Sequence, residues 1–185
     1  MNVKDMLRQA SDAAKQLITL SDQTIIGILK ETAQVLRTHT EEVLAANRQD
    51  LERMDPANPK YDRLKLTEER LQGIAADMEN VSTLPSPLNK VLSETTRPNG
   101  MVIRKVTVPF GVIGVIYEAR PNVTFDVFSL CFRSGNVCVL KGGSDADFSN
   151  RALVRIIHSV LERQGINPAV CTLLPPDREA TAGFL

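Results

Sequence analysis

The 185-residue sequence has no tryptophan, two tyrosines and six phenylalanines, so aromatic residues make up only 4% of it. A chain so poor in rings lacks the stacking platforms that bind single-stranded nucleic acid. Neither sign of charge is in excess, since 22 Lys and Arg balance 22 Asp and Glu. That balance excludes a bulk electrostatic footprint for nucleic acid or anionic lipid. Cysteine is scarce: Cys131, Cys138 and Cys171 are too few and too far apart for a disulfide framework, and none pairs at metal-ligand spacing. A reducing compartment follows. The first residues, Met1-Asn2-Val3-Lys4-Asp5, are charged at once, with no apolar signal segment behind them. The longest near-apolar run, Val108 to Tyr117, is about half of the ~20 residues a membrane-spanning helix needs. A cytoplasmic protein with neither nucleic-acid nor membrane partners is expected. The 43% hydrophobic and 24% charged content fits a globular chain with a core of its own.

The first ninety residues read as helices. Val3, Met6, Leu7, Ala10, Ala14 and Leu17 form one stripe at helical spacing. Ser21 is placed to cap a second helix with Ile25, Ile28, Leu29, Thr32, Val35 and Leu36 on its inner side. Thr40 is expected to cap a third, carrying Val43, Leu44 and Leu51. Pro56 and Pro59 interrupt the pattern, and Thr67 starts another helix with Leu71, Ile74, Ala75 and Met78 buried. Pro85 and Pro87 end the section.

From Val91 the pattern changes to strands. Asn99-Gly100 predicts a tight hairpin turn in which both residues take positive φ, with a return arm from Met101 to Val108. Gly111 to Ile116 reads as a buried strand, 124–134 as a helix, Val137 to Leu140 as a strand, and a long helix follows with Leu153, Ile156, Ile157, Val160 and Leu161 inward. Gly165 and Pro168 stop it before a strand at 170–174. This alternation predicts an α/β fold with a parallel sheet.

Two segments carry candidate chemistry. Leu140-Lys141-Gly142-Gly143-Ser144 leaves the carboxyl end of a strand and enters a helix, where open sheets place ligands. The glycines allow close approach to the backbone, Ser144 or Asp145 can cap the helix, and Lys141 suits a phosphate or a ribose hydroxyl. The ordinary alternative is a sharp βα turn. It is not a P-loop, because the Lys precedes the glycines. The second segment is Gly111-x-x-Gly114 followed by Tyr117-Glu118-Ala119-Arg120-Pro121-Asn122-Val123-Thr124. Its glycine pair alone points to close strand packing. Asn122 fits either a helix cap or an amide donor to an oxyanion, and Arg120 either an ion pair with Glu118 or an anionic substrate group. The three cysteines lie among apolar residues and read as core. His39 and His158 are expected at the surface.

The run from Val108 to Thr124, containing Glu118-Ala119-Arg120-Pro121-Asn122-Val123-Thr124, resembles γ-glutamyl phosphate reductase, also called glutamate-5-semialdehyde dehydrogenase. Ser134-Gly135-Asn136, Val139-Leu140-Lys141-Gly142-Gly143, Ser149-Asn150, Asn47 and Asp50-Leu51 resemble the same family. The wider aldehyde dehydrogenase superfamily shares only the looser Pro-x-Gly-Val-x-Gly and strand-end Lys patterns.

The resemblance implies an aldehyde-dehydrogenase-like, Rossmann-type parallel sheet, here incomplete, with a leading helical section and an oligomerisation hairpin. It divides the chain into a helical section of the cofactor domain (1–90), the hairpin (91–109) and a nucleotide-binding portion (110–185). It places Lys141, Gly142, Gly143, Ser144 and Pro121 at the cofactor, Asn122 at the oxyanion and Arg120 at the substrate. Ser144 stands where NAD-preferring relatives carry a Glu, and it cannot repel a 2′-phosphate, which points to NADPH. The implied reaction is the second step of proline biosynthesis. A Cys thiolate attacks L-glutamyl 5-phosphate, phosphate leaves, and NADPH reduces the thioester to the semialdehyde. A homo-oligomer and a functional coupling with glutamate 5-kinase are further expectations. The family's catalytic Cys lies in a second domain with no counterpart here, and Glu179 to Leu185 reads as an interrupted helix, so an N-terminal fragment, inactive alone, is expected. A non-catalytic nucleotide-binding or scaffold module, or another aldehyde dehydrogenase, is the alternative.

Overall fold

A computed structural model describes residues 2–184, apart from the side chains at 178, 181 and 184. Helix α1 (Val3–Leu17) is capped by Asn2, whose Oδ1 accepts from the Asp5 N–H, and it buries Ala10, Ala13 and Leu17. Helix α2 (Asp22–Thr38) starts at Ser21 as expected, with Ser21 Oγ accepting from the Thr24 N–H at 3.1 Å. Helix α3 (Thr40–Leu51) departs from expectation at its start. Thr40 Oγ1 donates back to the Arg37 carbonyl, so it closes α2 rather than capping α3. A short helix α4 (Tyr61–Leu64) follows the proline segment, and Thr67 caps α5 (Glu68–Thr83) through the Arg70 N–H.

Strands β1 (Val91–Thr96) and β2 (Val102–Val106) form an antiparallel hairpin exposed along its whole length. Its turn differs from the two-residue form. The last strand pair is Thr96 with Val102, and only Gly100 takes positive φ, at 83°. Pro98 fixes the second position of a turn closed by Gly100 N–H on the Arg97 carbonyl, so Gly supplies the left-handed exit alone.

Strands β3 (Val112–Ile116), β4 (Val137–Lys141) and β5 (Cys171–Leu173) form a parallel sheet in the order β3-β4-β5. Helix α6 (Val123–Arg133) joins β3 to β4, and α7 (Asp147–Arg163) joins β4 to β5. All five β4 residues are buried. Strand β3, expected to be buried, is an edge strand with alternate residues uncovered, Ile116 at 51% exposure and the preceding Phe110 at 94%. Composition could not separate the two, because a central and an edge strand of a parallel sheet are equally β-branched.

Helix α1 lies against the sheet, α6 packs on β4 and α7 on β5, the two helices touch each other, and α2 packs on α5, α6 and α7. One hydrophobic cluster therefore runs from Ala10 to Leu174. Arg133, 4% exposed, ends α6 by donating to the Leu84 carbonyl and pairing with Asp22, so a single buried cation ties three helix termini together. Helix α8 (Arg178–Phe184) covers the expected terminal helix, whose Leu185 falls outside the described residues. Among the described residues no helix is long and apolar enough to cross a membrane.

Candidate functional site at the carboxyl edge of the sheet

Both predicted segments emerge where β3 and β4 end. Pairing continues one residue past β3, with Tyr117 N–H donating to the Lys141 carbonyl at 3.1 Å. The Tyr117 hydroxyl then meets Thr124 Oγ1 at 2.6 Å, and Thr124 Oγ1 donates to Asn150 Oδ1 at 3.1 Å. Since Thr124 spends its proton on Asn150, Tyr117 is the donor in the first bond. Burial pushes the Tyr117 phenol well above its ordinary range, which keeps it protonated for that role.

This chain of polar groups underlies the glycine turn. A Cβ on Gly142 would lie 2.3 Å from Asn150 Nδ2, and one on Gly143 would lie 3.2 Å from the Glu118 carbonyl. Both glycines are thus closely packed against the protein itself, before any ligand is considered. Lys141 is 5% exposed, and its Nζ donates to the Gly142 and Pro176 carbonyls at 3.1 Å each. An ammonium has three N–H groups, so one remains for a ligand oxygen.

Neither Ser144 nor Asp145 caps the following helix. They form a 3-10 turn (Ser144–Ala146), and α7 begins without a cap from its own neighbourhood. Asp50 of α3 supplies it: Oδ1 accepts from the Phe148 N–H at 3.1 Å, and Oδ2 from the Ser149 N–H at 2.8 Å and Ser149 Oγ at 2.6 Å. Asn47, one turn earlier on the same face of α3, donates to Ser149 Oγ and to the Leu64 carbonyl and accepts from the Leu66 N–H. Ser144 itself is left exposed at the edge. The sequence carried a signal for this network, because Asn47 and Asp50 follow Val43 at helical spacing and put polar groups on a buried stripe.

Arg120 does not pair with Glu118. Lys60 reaches Glu118 first, at 2.7 Å, and lies 3.9 Å from Asp145, bridging the two loops. The hydrogen bond and charge of Lys60 hold the Glu118 carboxyl below its ordinary value. Asn122 makes no cap bond. Its Nδ2 donates to Asp126 Oδ2 at 2.9 Å, while burial raises the Asp126 pKa. One amide N–H of Asn122 remains for a ligand. Pro121 is buried between them. Arg120 and Asn122 line a groove of about 330 Å³ together with residues 62–77, whereas Lys141 and Gly142 to Ser144 lie outside it. The predicted residues therefore form two stations on one edge, separated by the Lys60 bridge.

The cysteines are core residues as expected. All three are buried, and the pKa values of Cys131 and Cys138 are raised, by the neighbouring thiols and by burial. His158 departs from expectation: it is half-buried, with Nε2 2.7 Å from the Cys171 carbonyl, and it joins α7 to β5. It lines a more apolar cavity of about 580 Å³ beside β5, which holds none of the predicted site residues.

No family model matches the chain. It is 98% identical over all 185 residues to the γ-glutamyl phosphate reductase of Parabacteroides distasonis, covering 45% of that protein. It is 63% identical over 183 residues to the enzyme of the same name from Azobacteroides pseudotrichonymphae, covering 44% of it. The chain thus spans under half the length of the curated relatives it matches. Among solved structures, γ-glutamyl phosphate reductase from Thermotoga maritima superposes with a TM-score of 0.92 at 31% identity, over 97% of this chain and 44% of that one. A probable aldehyde dehydrogenase from Listeria monocytogenes reaches 0.72 at 17% identity, over 97% of this chain and 38% of that one, a likeness of fold alone.

Proposed function

We propose that this chain, a member of the γ-glutamyl phosphate reductase family by the likeness just described, carries the cofactor-binding part of an enzyme that reduces L-glutamyl 5-phosphate. The products are L-glutamate 5-semialdehyde and phosphate, in the second step of proline biosynthesis. The observation that carries this reading is the 98% identity along the whole chain. The nucleophilic Cys of that reaction belongs to the remainder of the parent protein, since all three thiols here are buried, and those of Cys131 and Cys138 are also pushed well above the ordinary thiol range.

The residues fit a nicotinamide cofactor. Lys141 retains one N–H for a ribose hydroxyl, and exposed Ser144 puts no carboxylate of its own beside a 2′-phosphate, which favours NADPH. The cofactor supplies the hydride when bound. Asn122, fixed through Asp126, aims its remaining N–H at the oxygen on which negative charge develops. Glycines 142 and 143, packed on Asn150 and Glu118, hold the cofactor turn rigid. The exposed β1–β2 hairpin pairs with a second copy of the protein, and the product of glutamate 5-kinase is the substrate received.

The test is the full-length protein assayed with L-glutamyl 5-phosphate, comparing kcat/KM for NADPH and NADH. NADPH-dependent formation of the semialdehyde is expected, and Lys141→Ala should raise KM for NADPH at least tenfold while moving the substrate KM little. Preference for NADH, or an unchanged cofactor KM in the variant, overturns the assignment.

A further inference from the structure

The Asn122 groove is lined by more cations than acids. Its lining includes four cations, Arg63, Lys65, Arg70 and Arg120, and two acids, Asp62 and Asp77. Arg70 is committed, because it donates to the Asp62 and Lys65 carbonyls at 2.6 Å each and pairs with Asp62 at 3.0 Å. That bracket shapes the segment between α4 and α5. Among the described residues, the side chains of Arg63, Lys65 and Arg120 make no hydrogen bond and no ion pair, and Asp77 is the one acid of the lining left to face them. The lining thus carries two more positive than negative charges in a concave site of about 330 Å³, with Arg63 also acting on Glu118 just outside it.

We propose that Arg63, Lys65 and Arg120 hold an anionic group of the substrate beside Asn122, a proposal that rests on the function inferred above. An amide that meets the acyl oxygen fixes where the reacting carbon sits. In an acyl phosphate of glutamate that carbon bears the phosphoryl group directly and the α-carboxylate a short aliphatic chain away. Either anion lies within reach of long cationic side chains lining the same groove, and guanidinium groups match both in a two-pronged geometry. The three cations come from two separate segments, the α4–α5 region and the β3–α6 loop, so the site forms only when the helical section is docked on the sheet. Phosphate leaves as the thioester forms, so cations beside the acyl carbon also stabilise the departing charge.

The experiment uses the full-length protein run in reverse, with the semialdehyde, inorganic phosphate and NADP. Arg63→Gln, Lys65→Gln and Arg120→Gln are exposed substitutions that keep bulk and remove charge. Each loses a charge-assisted hydrogen bond, so about a tenfold rise in one KM is expected. A rise for phosphate alone assigns the cluster to the phosphoryl group, a rise for the semialdehyde alone assigns it to the α-carboxylate, and a rise in both assigns it to the two together. Arg120→Lys should recover most of the loss, which a purely structural role would not predict. KM values within twofold of the unaltered protein in all three variants, whatever kcat does, overturn the site while leaving the reductase reading intact. Absence of phosphate-dependent turnover by the unaltered protein overturns both.

Discussion

Asp50→Ala removes the one side chain that caps α7 from across the molecule. Three donors lose their acceptor: the Phe148 and Ser149 N–H groups and Ser149 Oγ, the last two in a fully buried residue. A buried donor left unsatisfied costs about 1–3 kcal/mol, and loss of an N-cap alone up to about 2. Relief from burying the carboxyl offsets part of this, since burial already raises the Asp50 pKa against the pull of its hydrogen bonds. A net destabilisation of about 3 kcal/mol follows at neutral pH. Near the unfolding midpoint this corresponds to roughly 6–12 °C for a chain of this size. Urea unfolding followed by circular dichroism measures it. The pH dependence has a definite sign. The folded chain keeps the Asp50 proton to higher pH than the unfolded one, so the stability that Asp50 contributes is greatest below its ordinary value of 3.8 and declines as pH rises through the raised value. A loss under about 1 kcal/mol would refute the reasoning, by showing that water replaces the carboxyl at no cost.

Two further substitutions probe the same framework. Gly142→Ala puts a Cβ 2.3 Å from Asn150 Nδ2 and should cost about 1–3 kcal/mol in thermal unfolding. Most of that cost should vanish in an Asn150→Ala background, and an additive double variant would contradict the close approach. Glu79 is held below its ordinary value of 4.5 by its hydrogen bonds to Arg37, which join α2 to α5. That stability is present above the ordinary value and lost as pH falls through the lowered one. Because the pair is partly exposed, Glu79→Gln should cost less than about 1 kcal/mol at pH 7 and nothing in strong acid. A difference that grows on acidification would be the wrong sign.

What could be read from the sequence was what is local. Ser21 and Thr67 cap their helices because a cap needs only the next three residues. The α/β alternation and the inward faces of α2, α5 and α7 follow from periodicity alone. Thr40 was misread because two helices share one corner there, and a hydroxyl can serve the carbonyls behind it as readily as the amides ahead. The site itself was half legible. Lys141, Asn122 and the glycine pair lie at the carboxyl edge of the sheet as their spacing predicts, but what surrounds them comes from elsewhere in the chain. Lys60, not Arg120, meets Glu118, and Asp50, not Ser144, caps α7. Burial of β3 failed for the same reason, since no pattern within five residues says which strand is the edge.

The ties between the helical section and the sheet also bear on how the protein is made. Asp50 waits for Ser149, 99 residues later, and Gln16 for the Gly165 carbonyl, 149 residues later. At a synthesis rate of about 5–20 residues per second, α3 leaves the ribosome roughly 5–20 s before its partner exists. Throughout that interval the apolar stripes of α1 and α2 have no sheet or α7 to rest on. The nascent helices thus wait with those stripes uncovered, and slowing translation anywhere between codons 50 and 149 lengthens their exposure.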